Sequence, residues 1–328
     1  MTFVAAPTAV ASSPPARRVF SWLAIRLAGC LFVLIAAATI TFFALRLIPG
    51  DPAQAVLGGP GSQASAAALA HVRAEYGLDK PLAVQYLLQL GKYAVGDFGT
   101  SYSLHEPVTE VIGAQIGGTL ILSITSLAAA WVFALLLAMW STRGGRIGTA
   151  IGSGLEIVAA AVPHFWLATV LILLFSSTLG WLPAVNVPGP IGIILPTLTL
   201  AVPLAGFLGQ VMRESLLNAA ASPFVQSARA RGESESGVLW RHTLRHAALP
   251  AISLSGWAFG SLISGAVVVE TIFARPGVGR TLLQAVQDRD VPLVSGIVLV
   301  VAAVYVIMTI TADALDRIAD PRLRTRDR

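Results

Sequence analysis

Six runs of about twenty apolar residues constrain this chain more than any other feature. They lie at 22–45, 118–140, 155–179, 191–212, 249–273 and 292–310. A hydrocarbon core about 30 Å thick takes about twenty helical residues to cross. Within it only helices and closed barrels satisfy every backbone N–H and C=O. The runs lack the in–out alternation of barrel strands, so they predict an all-α, polytopic membrane protein with six transmembrane helices. Composition agrees: 12% of the 328 residues are charged, against about 25% in a soluble domain.

The first run is too long for the apolar region of a signal peptide, and no small-residue cleavage site follows it, so it reads as a retained span. The one cysteine, Cys30, lies inside that run, which leaves no disulfide framework and no cysteine metal site. The leader, rich in Ala, Pro and Ser, is expected to be disordered.

Orientation follows from the basic residues. With the N-terminus inside, fifteen of the 22 Lys and Arg side chains fall in the cytoplasmic segments and seven outside. Short positively charged loops stay in the cytoplasm, so both termini are expected there. The net charge of +5 is then a topology signal rather than a nucleic-acid footprint.

The units expected are a leader (1–19), a first transmembrane helix (20–47) and an extracytoplasmic helical segment (48–115). A five-helix core (116–316) follows, with a cytoplasmic loop (213–248), and then a tail (317–328). In the outer segment, 62–76 is helix-prone and Gly77 is a natural stop. Residues 81–95 open with proline at a helix start and place Leu82, Tyr86, Leu87 and Leu90 on one face. This cap is either a lid on the outer membrane face or a partner-binding element. In the last outer loop, ARPGVGR and the charged QDRD run predict a water-exposed turn region. Pro196 and Pro203 in the fourth run predict kinks, compatible with a gated pathway.

The cytoplasmic loop contains SARARGESESGVLWRHTLRHAALP at 227–250. Ser227, Ala228 and Ala230 allow close approach to another surface. Gly232 can end one helix in a left-handed turn, and Ser234 can cap the next. The result is a short helix–turn–helix knob suited to a cleft in a cytosolic partner.

These residues resemble a family. The chain looks like a permease subunit of binding-protein-dependent ABC importers, in the oligopeptide/dipeptide/nickel group. The family's loop signature is a Glu-Ala-Ala-type triplet, three residues, then glycine. Here the triplet is Gln226-Ser227-Ala228 and the glycine is Gly232. SARARG at 227–232 resembles the peptide branch's TARAKG, and RHTLRHAALP at 241–250 its RHALRNALLP. IPGDPA (48–53), YGLDKPL (76–82), GDFGTS (96–101), VPHFWLA (162–168), LGWLPA (179–184), VVVETIFARPGVGR (267–280), DRDVP (288–292) and DPR (320–322) follow in order. Gln226 departs from the charged residue usual at the head of the triplet. The long outer segment fits the first permease of the pair.

The resemblance implies the type I ABC importer permease fold in a bacterial inner membrane. It implies that Gln226, Ser227, Ala228, Arg229, Ala230, Arg231, Gly232, Arg241 and His242 couple to ATPase subunits. Implied partners are a second homologous permease, two ATPases that bind ATP and Mg²⁺, an extracytoplasmic binding protein, membrane lipid and peptide cargo. The chain carries no GxxxxGK[ST] phosphate loop, so it is expected to be non-catalytic and to hold no cofactor.

Ionisable residues at membrane depth are candidates for function. Glu270 is expected to pair with Arg275, Arg280 or a group on the second permease, in gating or structure. Glu156 is expected to meet Arg143 or Arg146, and Asp313 and Asp316 to meet Arg317. His164 reads as a packing residue. A nickel importer would favour imidazole ligands, and only His71 and His105 lie outside, unclustered. A secondary transporter would show internal repeats, and a channel a selectivity filter. An intramembrane protease would need a partnered nucleophile, and Ser264 with His164 has no supporting motif.

Overall fold

A computed structural model describes residues 15–47, 51–57, 64–143 and 145–319. Most of the leader and the tail from 320 lie outside the described residues, as does the side-chain pairing expected of Asp316 and Arg317. Among the described residues, the only extended pairing is a single bridge between Thr100 and Pro107. All else is helix and connection.

The first span is α1 (Pro15–Leu47), which begins inside the stretch assigned to the leader. The outer segment holds α2 (Pro52–Val56), α3 (Ala66–Glu75) and α4 (Leu82–Ala94). Then come α5 (Val108–Arg143), which starts ahead of the boundary at 115, α6 (Gly145–Ala161) and α7 (His164–Leu171). A π-helical turn (Ile172–Thr178) extends α7. A 3₁₀ turn (Pro190–Ile193) leads into α8 (Ile194–Ala220). The loop carries α9 (Pro223–Ala230), α10 (Glu235–Gly237) and a π-helical turn (Val238–Thr243) that runs into α11 (Leu244–Ile272). The chain continues with α12 (Val278–Gln287) and α13 (Val291–Ala319).

Five helices are long and apolar enough to cross a bilayer, and α6 with the α7 run forms a bent pair that makes a sixth. The third span, expected over 155–179, is this bent pair, and the chain turns through 105° between its two helices. Pro163 is the cause. It has no N–H to give the preceding turn and disfavours helix in the residue before it. It sits extended at ψ 138° as the cap of α7.

At the centre stands α8, packed against α5, α6 and α11. Hydrocarbon offers no hydrophobic drive between helices, so small residues that let backbones approach do the work. On α5 the buried stripe includes Ser126, Ala130, Ala134 and Ala138, one per turn. On α8, Gly206 faces α6 so closely that a Cβ would lie 2.6 Å from the Glu156 carbonyl oxygen. Pro196 falls in the first turn of α8, where a missing donor costs no intrahelical bond. The helix continues unbroken through Pro203, and both prolines are buried in the bundle. Both prolines thus lie within a single central helix.

The periphery is different. α1 packs along α13, and Arg26 near its start pairs with Asp313 near the end of α13. That pair puts the described N- and C-terminal ends on one side of the bundle, called the loop end below.

At the opposite, cap end, Asp290 ties the outer segment to the last span. It is fully buried. Its carboxylate accepts from Ser101 Oγ at 2.5 Å, Ser103 N at 3.0 Å, Ser103 Oγ at 2.9 Å and Leu293 N at 3.1 Å. This corrects the expectation that the charged run at 287–290 stays in water. One of its carboxylates is the cap of α13 and the anchor of the GDFGTS turn. Burial raises the Tyr102 phenol above its ordinary range, and the nearby Asp290 carboxylate adds to the shift.

Candidate functional site

Two regions of the molecule concentrate polar chemistry. At the loop end, α8 stops at Ala220, and Ser222 and Pro223 start α9 in a new direction. Pro at the first helical position is pre-set for that start. α9 ends at Ala230, and Gly232 takes φ +80°, the left-handed turn expected of it. Ser234 then caps the next helical run, accepting from Gly237 N at 3.2 Å. The run from Glu235 to Ile272 is continuous through the π turn, a rod of about 55 Å.

This knob has its own small core of Val225, Ala228 and Val238. Ala228 is fully buried within it, so its small size serves the loop's own packing. That corrects its assignment to the docking surface. Gln226, Ser227, Arg229, Ala230, Arg231, Gly232 and Arg241 are exposed on the outside, and Trp240 presents its ring there, 59% exposed. Two arginine ion pairs and one histidine–carboxylate contact brace the turn. Arg229 Nε lies 2.9 Å from Glu235, His242 Nε2 2.9 Å from Glu233, and Arg241 3.7 Å from Glu233. Two of the arginines expected to face lipid or a partner are therefore engaged within the knob.

Beneath the knob lies an ion pair between a buried acid and a partly exposed arginine. Glu156 on α6 is fully buried and receives Arg213 Nε from α8 at 2.8 Å and Ser141 Oγ from α5 at 3.0 Å. The expected partners Arg143 and Arg146 do not fill this role. The bend at Pro163 lays α6 against α8, and Arg213 lies on the facing side of α8. A cleft of about 360 Å³ opens beside the pair, lined by Phe207, Gln210, Val211, Arg213, Glu214 and Leu217.

At the cap end, Glu270 is fully buried near the end of α11. Its carboxylate accepts from Thr119 Oγ1 at 2.5 Å, Gly279 N at 2.9 Å and Arg280 N at 3.0 Å. Thr119 Oγ1 in turn accepts from Val278 N at 2.9 Å. The free amides at the start of α12 are thus satisfied by an acid from α11 and a hydroxyl from α5. The expectation of a Glu270 pair with the Arg275 or Arg280 side chain is corrected. Arg280 contributes its backbone N–H, and the Arg275 guanidinium donates to Asn186 Oδ1 at 3.2 Å.

Gly277 lies so close that a Cβ there would overlap the Glu270 carboxyl group. Gly277→Ala is expected to displace α12 at a cost of about 1–3 kcal/mol, the range for overpacking. A lower thermal unfolding midpoint in detergent would show this. An unchanged midpoint would mean that α12 does not depend on its seat against Glu270.

Sequence reasoning found Glu270, Gly232 and Ser234, and missed Thr119, Arg213, Ser101 and Asp290 as partners. Their signal was faint. Hydroxyls at membrane depth and an arginine at the end of an apolar run are common, and their partners lie more than fifty residues away in sequence.

The chain's family follows from comparison with known proteins. Residues 130–325 match the model for the binding-protein-dependent transport system inner membrane component, and 19–125 match the N-terminal domain model of the same systems. The chain is 35% identical over 303 residues to the glutathione transport system permease protein GsiC of Salmonella choleraesuis, covering 91% of this chain and 97% of that one. It is 36% identical over 309 residues, with the same coverage, to a putative peptide transport system permease protein of Brucella abortus. Two inward-facing structures of the MetNI methionine ABC transporter share the fold. Their TM-scores are 0.52 and 0.54 at 16% and 15% identity, covering 65% and 66% of this chain and 97% and 99% of theirs. The helical membrane fold and both family matches agree: the chain is a member of the binding-protein-dependent transport system inner membrane component family, multi-pass permeases of ABC importers in the bacterial inner membrane.

Proposed function

We propose that this permease imports peptides delivered by an extracytoplasmic binding protein, forming the passage with a second homologous permease. The knob between α8 and α11 faces the cytoplasm, as do both termini, and docks on ATPase subunits that bind ATP and Mg²⁺ and hydrolyse the nucleotide. One observation carries this reading most. The knob is a small packed unit joined within a few residues to the central helix and, without a break, to the rod ending at Glu270. A push on the knob therefore moves α8 and α11 together, and displaces the seat of α12 at the far end.

Gln226, Ser227, Ala230, Arg231 and Gly232 make the docking face, with Trp240 beside them. Ala228 supports that face from within. Arg229, Arg241 and His242 hold the turn in shape through Glu233 and Glu235. Glu270 acts as a latch for α12, with Arg275 bracing the neighbouring loop through Asn186. Pro196 and Pro203 serve packing of the central helix. Peptide cargo accords with relatives named for glutathione and peptide transport.

The test is a gentle detergent pull-down of the tagged chain from its native membrane, with mass spectrometry of what accompanies it. A second permease and a phosphate-loop ATPase are expected. A chain that purifies alone and transports alone in liposomes would refute the importer assembly.

A further inference from the structure

We propose that α4 is an amphipathic helix set into the outer lipid leaflet beside α1, its unpartnered apolar face occupied by lipid acyl chains. The two faces of α4 differ sharply. Its inner face, Gln85, Tyr86, Gln89, Leu90 and Tyr93, is half-buried. Its outer face carries Val84, Leu87 and Leu88, continued by Val95 at its C-terminal cap, and these are 42%, 65%, 50% and 81% exposed. Spacings of three, four and seven residues put these four on one stripe. No residue of α4 is fully buried. A helix in water that turned such a stripe outward would be a liability.

Contacts with α1 set its depth. The Tyr86 hydroxyl and Thr39 Oγ1 are 2.7 Å apart. The Tyr86 ring lies 5.3 Å from that of Phe42 and 5.9 Å from that of Phe43. Gln85 takes a hydrogen bond from Arg46, whose guanidinium also sits 3.7 Å over the Phe42 ring. The apolar run of α1 spans Arg26–Leu47. Thr39 is seven residues inside Arg46, about 10 Å below the end of the run at 1.5 Å per residue. Helices lying in the membrane interface bury their apolar faces about 5–10 Å below the headgroups. Tyr86 reaches that depth.

The occupant is lipid because the stripe continues a surface that already faces it. Only 11% of α1's most apolar stretch is buried, the least of the five single-helix spans. Its Ile40 and Leu47 are 68% and 83% exposed at the same level. Lys92, exposed at the edge of the stripe, can extend its ammonium to the headgroups. The sequence placed α4 in a cap that was either a lid on the outer membrane face or a partner-binding element. The Thr39–Tyr86 contact lowers it into the bilayer, where polar groups of its inner face are satisfied within the protein, Tyr86 by Thr39, Gln85 by Arg46 and the carbonyls of Leu78 and Lys80, and Gln89 by Tyr93.

Spin labels test this. Leu88→Cys and Leu87→Cys, each made with Cys30→Ala in the full chain with its co-purifying subunits, are labelled and reconstituted in liposomes. Ile40→Cys on α1 is the lipid-facing reference. Collision with oxygen reports lipid exposure, and collision with a water-soluble nickel chelate reports water. The labels at 87 and 88 are expected to match position 40, with oxygen favoured over nickel. Nickel favoured at both would place α4 in water and overturn the proposal. Protection from both reagents would mean that protein, such as the second permease, covers the stripe, and would also overturn it. Two positions guard against a local disturbance by either substitution.

Discussion

Gly232→Asp is expected to insert and fold normally while its uptake of cargo falls by roughly tenfold or more, a loss of about 1.4 kcal/mol or more in coupling. The structure separates the two effects. Gly232 has φ +80°, and a Cβ there meets nothing within 4 Å. An aspartate fits the space, and its short polar side chain is among the few that visit the left-handed region, at a cost of about 1–2 kcal/mol. The knob's core of Val225, Ala228 and Val238 is untouched. What changes is the outside. A charged side chain now stands on the exposed turn where the partner is proposed to dock. Thermal unfolding near that of the parent, with uptake lost, is the expected pair of results. Unchanged uptake would sink the docking assignment. Ala228→Arg gives the contrast. It drives a charged side chain into the knob's core, so stability and uptake fall together.

Arg213→Ala is expected to be the most destabilising single change in the membrane core, by about 3–5 kcal/mol. Glu156 is fully buried. Without Arg213 its carboxylate keeps only Ser141 as a side-chain donor. An unpaired buried charge costs far more than the pair contributes when whole. Replacing both partners removes the problem, because a buried pair exchanged for neutral groups is often nearly neutral in stability. Glu156→Gln with Arg213→Met should therefore recover most of the loss, and the two changes should be strongly non-additive. The midpoint of thermal unfolding, followed by the helical circular dichroism signal, measures both. A single variant as stable as the parent would show that water or another cation reaches Glu156.

Periodicity and composition made the helical, membrane-spanning fold legible, along with five straight spans and both helix-turn signals of the knob. Gly232 and Ser234 are local devices, and local devices read well. Partnership of charges did not read. Neighbours in sequence, Arg143 and Arg146, were the natural candidates for Glu156, and Arg275 and Arg280 for Glu270. The packed bundle chose Arg213 on α8 for one and the amides of α12 with Thr119 for the other. On α4 the spacing named a shared face for Tyr86, Leu87 and Leu90 but not how deeply each is covered: Tyr86 and Leu90 are half-buried, with the Tyr86 hydroxyl against Thr39, while Leu87 is exposed.

By itself, then, the sequence determined how many times the chain can cross a bilayer, where its turns fall and which family signatures it carries. These depend on short continuous runs, the longest spanning 155–179 and 249–273. The tertiary structure decided where the third crossing bends and in what direction, which small residues serve the inside of the knob, and which groups satisfy each buried acid. A buried charge takes whatever donor the fold brings within about 3 Å, and that distance is set by helices packing across the whole chain rather than by any stretch of it.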